Sequence, residues 1–188
     1  MVRHICSERI ASHFAHVSQV LARVDLRTVE LLAQAISEAH STGHTIFTFG
    51  NGGSAATALH FANNLFDSRR GLKVRVNCLA SNVSVLSAIA NDIGYDRIYA
   101  EQLSMLASPG DLAIAISASG YSPNCVSGLT RAREIGMPTA CLVGFDGGNL
   151  LRLSDYPVHV PCDSYALVED IHLVIAHSIA SAVSGESG

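Results

Sequence analysis

Short runs apolar on consecutive residues recur along this chain, each ending in glycine or serine and each followed by a helical pattern. Thr45-Ile46-Phe47-Thr48-Phe49 runs into Gly50-Asn51-Gly52-Gly53-Ser54 and an alanine-rich helix through Leu65. The cycle repeats with Val74 to Leu79 and a helix through Ala90. It repeats again with Leu112 to Ser117 and a helix from Ser122, and with Thr139 to Val143 followed by Gly144. A last short strand at Val158 to Val160 precedes a long helix from about Tyr165 to Val183. A strand apolar on both faces has to be covered on both, so alternation with helices predicts an α/β fold: one doubly wound, five-stranded parallel sheet with right-handed crossovers. Ligands of such sheets bind at the carboxyl ends of the strands, where strand order reverses. Both the glycine loop and the serine loop fall at such ends.

Before the first strand, Ile10, Phe14, Val17, Val20 and Leu21 recur at helical spacing from Ser7 to about Val24, and a second helix is expected from Leu26 to Ala39. Residues 1–43 therefore read as a two-helix arm used in oligomer packing, and 1–188 as a single domain. An apolar content of 48% against 15% charged residues describes a well-buried protein. The net charge of −4 argues against a nucleic-acid face. The one dense basic cluster, Arg69-Arg70 with Lys73 and Arg75, is short and reads as a solvated loop and strand edge. Five scattered cysteines, none in a CxxC pair, indicate reduced thiols and a cytoplasmic location. No leader is expected after Met1, and no apolar window is expected to span a bilayer.

The serine loop carries the strongest chemical signal. Ser117, Ser119 and Ser122 surround Gly120 between an apolar strand and a helix start, with Ala118 among them. Three hydroxyls and the free N–H groups of a helix start can hold a phosphate without Lys or Arg. The plainer role for Ser122 is to cap the helix that begins at Pro123. In the glycine loop, Gly52 permits close ligand approach, while Asn51 and Ser54 offer side-chain hydrogen bonds. No Lys follows the glycines, and the spacing differs from the dinucleotide fingerprint.

Gly50-Asn51-Gly52-Gly53-Ser54-Ala55-Ala56 with His60-Phe61-Ala62, and Ile116-Ser117-Ala118-Ser119-Gly120, resemble the sugar isomerase (SIS) domain. Ala90-Asn91-Asp92 and Glu169-Asp170-Ile171-His172-Leu173 through His177 extend the resemblance to the phosphoheptose isomerases over nearly the whole chain. The resemblance implies a homotetramer with active sites at subunit interfaces. It also implies aldose-ketose isomerisation of a sugar phosphate, sedoheptulose 7-phosphate to a heptose 7-phosphate. Because a polyhydroxylated sugar needs many paired donors and acceptors, Asn91 and Asp92 join Asn51 and Ser54 as candidate substrate contacts, the plainer role for Asp92 being to cap a turn with Gly94.

His60 and Asn64 stand four residues apart on one helix and share a face. Glu169 and His177 stand eight apart on the last helix, about 80° apart around its axis at ~100° per residue. Asp170 is equally permitted by that geometry. The resemblance favours Glu169, and it implies a metal site, Zn2+ in most members, at His60, Glu169, His177 and the position of Asn64. Two departures stand out: Asn64 occupies the place of the family's glutamate, which serves as base, and Glu169 that of its glutamine. A carboxylate and an amide have exchanged places. On this reading Glu169 is the base or a metal-ligating carboxylate, His177 transfers protons at substrate oxygens, and His60 helps hold the metal. The alternatives are isomerisation of a longer or modified ketose phosphate in a specialised pathway, and a non-catalytic SIS protein that binds a protein partner. Neither a nucleic-acid nor a membrane partner is expected.

Overall fold

The computed structural model describes residues 2–66 and 73–185, with residues 2–6 described by their backbone alone. Arg69 and Arg70 of the basic cluster and the end of the polar tail lie outside the described residues. The chain runs α1 (Val2–Leu21), α2 (Leu26–Ser41), β1 (Ile46–Gly50), α3 (Gly52–Leu65), β2 (Val76–Cys78), α4 (Val83–Asp92), a single 3-10 turn (Tyr95–Arg97) and α5 (Ile98–Leu106). It continues with β3 (Leu112–Ser117), α6 (Pro123–Ile135), β4 (Thr139–Val143), α7 (Gly148–Leu153), β5 (Tyr156–His159) and α8 (Tyr165–Ser184).

All four strand pairings are parallel, and the order is β2-β1-β3-β4-β5. Successive side chains of a strand face opposite sides. Ile46, Leu112, Ile114 and Ile116 accordingly join one core with α2, α3 and α8. Phe47, Phe49, Ala113 and Ala115 join a second core with α5, α6 and α7. Thr48 is fully buried on the first side, and its hydroxyl donates to the Ala58 carbonyl of α3 at 3.0 Å, which ties strand to crossover helix.

The supposed arm divides into two unlike parts. Leu32 and Ile36 of α2 have no exposed surface and belong to the first core, so α2 covers the sheet. Among the described side chains of α1 only Val20 is buried, while Ile10 and Phe14 remain exposed. α8 corrects the expectation that no apolar window is long enough for a bilayer: by length and composition this 20-residue helix passes. Its Val168, Ile171, Ile175, Ala176 and Ile179 are buried in the first core, which makes it a core helix of the sheet.

Order reverses between β1 and β3, whose crossovers leave to opposite sides. The loop after β1 and the loop after β3 therefore open into one crevice, in the register Gly50 opposite Ile116.

Candidate active site

At that crevice lies a cavity of about 180 Å³, bounded by Ser117, Ala118, Ser119 and Ser122 on one side and by Asn51 and Ser54 on the other. Tyr165 and Glu169 of α8 complete it. Among the described residues no Lys or Arg lines it, so the polar groups it offers an anion are hydroxyls and helix starts. Two helices aim their first turns at the cavity, α3 from Asn51 and α6 from Ser122. Neither of these cap residues makes a side-chain bond to its own helix. The simple capping role for Ser122 is therefore not realised. Its hydroxyl lies instead 3.3 Å from that of Ser117; the first-turn amides of α3 and, at α6, the Asn124 N–H are left for a ligand, since Pro123 has no N–H and that of Cys125 donates to Asn124 Oδ1.

The serine turn is held by its own backbone and by the loop after β4. The Gly120 N–H donates to Ser117 Oγ at 3.2 Å, and the Tyr121 N–H to Ser119 Oγ at 3.3 Å. Gly120 has φ +71°, and a Cβ there would stand 2.1 Å from the Gly147 carbonyl oxygen, so no side chain fits. The Tyr121 hydroxyl donates to Asp146 at 2.7 Å. That bond raises the Tyr121 pKa and lowers that of Asp146. The turn from Gly144 to Gly148 is architectural, as its sequence suggests.

Glu169 faces the cavity over Gly53, where a Cβ would meet its Oε2 at 2.5 Å. Asp170, the alternative, points away to α1 and pairs with His13 at 2.7 Å. About one helical turn further on, His172 is fully buried with neither ring nitrogen hydrogen-bonded, and burial pushes its pKa down to about 4.

His60 and His177 meet between α3 and α8, Nε2 to Nε2 at 2.8 Å with rings edge to face. They lie seven and eight residues beyond Gly53 and Glu169, about 10–12 Å along the two helices. Within one chain Glu169 thus does not join the two imidazoles. Among the described residues no three His, Cys, Asp or Glu side chains converge. The expected set of His60, Glu169 and His177 around one Zn2+ is not assembled, because a catalytic zinc takes three protein ligands and two are present. Asn64, one turn beyond His60, adds a half-buried carboxamide whose Nδ2 has no partner. Asn91 and Asp92 sit at the exposed end of α4, bonded to each other at 2.7 Å, and do not line the cavity.

The SIS domain matches residues 12–144 of this sequence. The chain belongs to the SIS domain family. Within that family it is 38% identical over 184 residues to the phosphoheptose isomerase of Geotalea daltonii, covering 94% of this chain and 92% of the relative. Identity is again 38% over 184 residues to that of Aliarcobacter butzleri, covering 94% and 96%. Among solved structures, the phosphoheptose isomerase of Neisseria gonorrhoeae superposes with a TM-score of 0.89 at 29% identity, covering 96% of this chain and 100% of the other. By family this SIS protein is a phosphosugar isomerase.

Two site residues of this SIS domain escape a reading of the sequence. Tyr165 lines the cavity from the first turn of α8 and packs against Phe145 at 4.7 Å between ring centroids. Its place four residues before Glu169, on the same helix face, is the signal that could have found it. Asn124, next to Pro123 in the first turn of α6, is the second.

Proposed function

We propose that this protein is an aldose-ketose isomerase of a long-chain sugar phosphate, converting sedoheptulose 7-phosphate to a heptose 7-phosphate. One observation carries the reading: a carboxylate, Glu169, faces a phosphate-sized cavity built from three serines and two helix starts. The named relatives support the substrate class.

In this mechanism the phosphate rests on Ser117, Ser119 and Ser122 and on the Asn124 N–H of α6, while the sugar chain extends over α3 past Ser54. Glu169 takes the proton from the carbon beside the carbonyl, giving an enediol. It returns that proton to the neighbouring carbon, so ketose becomes aldose with no net change in atoms or electrons. The proton between the two sugar oxygens is moved by an imidazole; because His60 and His177 lie about 10–12 Å from Glu169 along the helices of one chain, this reading takes that imidazole from a neighbouring subunit. His60 and His177 would hold a Zn2+ together with a ligand from outside this chain's described residues, and the ion would polarise the substrate carbonyl.

A homotetramer fits this reading. Phe14, Leu26, Phe66, Val83 and Met105 are all more than half exposed and offer apolar surface for subunits to cover. A cytoplasmic location fits the free thiols of Cys78, Cys125, Cys141 and Cys162. The test is incubation with sedoheptulose 7-phosphate and a panel of other ketose phosphates. The reading expects an aldose phosphate from the seven-carbon substrate. No aldose from any of them contradicts it.

A further inference from the structure

We propose that Asn124 is a positioning residue, setting the gap between the two anion-binding loops through a reciprocal carboxamide pair with Asn51. The proposal rests on the reading of the serine cavity as a phosphate site and concerns how that site keeps its shape.

Asn51 ends the loop after β1 and precedes α3. Asn124 is the second residue of α6 and is only 1% exposed. Asn51 Nδ2 donates to Asn124 Oδ1 at 2.8 Å, and Asn124 Nδ2 donates back to Asn51 Oδ1 at 2.8 Å. The Cys125 N–H donates to Asn124 Oδ1 at 2.9 Å, which fixes the orientation of that carboxamide. On the other side, the buried Tyr99 hydroxyl of α5 donates to the Gly50 carbonyl and lies 3.3 Å from Asn51 Oδ1. The Tyr95 hydroxyl donates to the same oxygen at 3.2 Å. Three elements thus meet on one carboxamide.

This accounts for an otherwise odd feature of α3, whose Asn51 cap residue leaves the helix uncapped. Its side chain is turned across to α6, and the α3 amides stay free for the ligand. The Asn51 oxygen is committed to the clamp, so its offer to a sugar phosphate shrinks to one remaining Nδ2 hydrogen. Donors held at a fixed separation before the ligand arrives need no reorganisation on binding. Without the cross-link, the two helix starts move independently.

Calorimetric titration of inorganic phosphate and steady-state kinetics with sedoheptulose 7-phosphate test the proposal on wild type, Asn124→Ala, Asn51→Ala and the double variant. The phosphate Kd and the KM are expected to rise together about 10-fold in Asn124→Ala, by more than kcat falls. The double variant is expected to bind phosphate no more weakly than the worse single variant, because both remove one shared network. Asn124→Ser keeps a short acceptor for the Cys125 N–H and serves in place of a poorly folding alanine variant. Unchanged phosphate affinity in Asn124→Ala, or strictly additive losses in the double variant, overturns the proposal and leaves the phosphate site standing. Failure of the wild type to bind phosphate overturns both.

Discussion

The carboxylate of Glu169 lies directly over the α-carbon of Gly53, so that a single added methyl group would stand 2.5–2.8 Å from its three outermost atoms. The glycine loop is thereby more than a phosphate cradle: it is the floor on which the candidate base rests. Gly53→Ala should push Glu169 aside while leaving the fold intact, since the end of a flexible side chain gives way. A displacement of about 1 Å is expected to lower kcat by ~10²-fold with little change in melting temperature. Steady-state kinetics beside a thermal melt check this.

On the proposed reading, the three serine hydroxyls act on the phosphate in ground state and transition state alike. Ser119→Ala and Ser122→Ala should each raise the KM of a sugar phosphate and the inhibition constant of inorganic phosphate by ~10-fold, with kcat changing less. Competition assays with phosphate read both constants.

His60 and His177 share one short N–H···N contact, so either imidazole loses its partner when the other is removed. His60→Gln, His177→Gln and the double variant are expected to lower turnover by similar factors, and the double by far less than the product of the singles. Both residues are exposed, and stability by urea denaturation should change by less than ~1 kcal/mol.

His172 gives the fold an acid-sensitive point. Burial holds its folded pKa at about 4, below the ordinary value of 6.5. The unfolded chain therefore takes up the proton first as pH falls. The stability this histidine permits is complete above pH 6.5 and declines towards pH 4, by roughly 3 kcal/mol over the interval. Against His172→Leu, whose leucine needs no partner for a ring nitrogen, the wild-type unfolding free energy should fall progressively further behind across that window. Parallel curves for the two proteins would show that His172 is not the group responsible.

The sheet was legible because its strands are apolar on both faces. Leu112 to Ser117 and Thr139 to Val143 match the observed strands residue for residue. β5 begins earlier than its β-branched residues suggest, because Pro157 reads as a breaker, yet an edge strand has no neighbour waiting for that N–H. α5 and the turn before it were hidden, since Tyr95 to Leu106 carries no cap signal and α5 follows the 3-10 turn with no break between them. At the site, the serine loop is visible from local pattern, whereas helix spacing leaves Glu169 and Asp170 equivalent and only the His13 pairing of Asp170 separates them. Asn124 is not visible in that way, because its role comes from a residue 73 positions away. The metal set is harder to read for a comparable reason: spacing along α8 puts Glu169 and His177 on a common side yet ~12 Å apart along the axis, so one chain does not bring both to one ion.

The most direct test of the account follows exchange of the proton beside the carbonyl of sedoheptulose 7-phosphate in deuterated water, for wild type and Glu169→Gln. Catalysed exchange by the wild type, lost in a variant that still binds inorganic phosphate, is the predicted result. Exchange persisting at the wild-type rate in Glu169→Gln would contradict the assignment of Glu169 as the base.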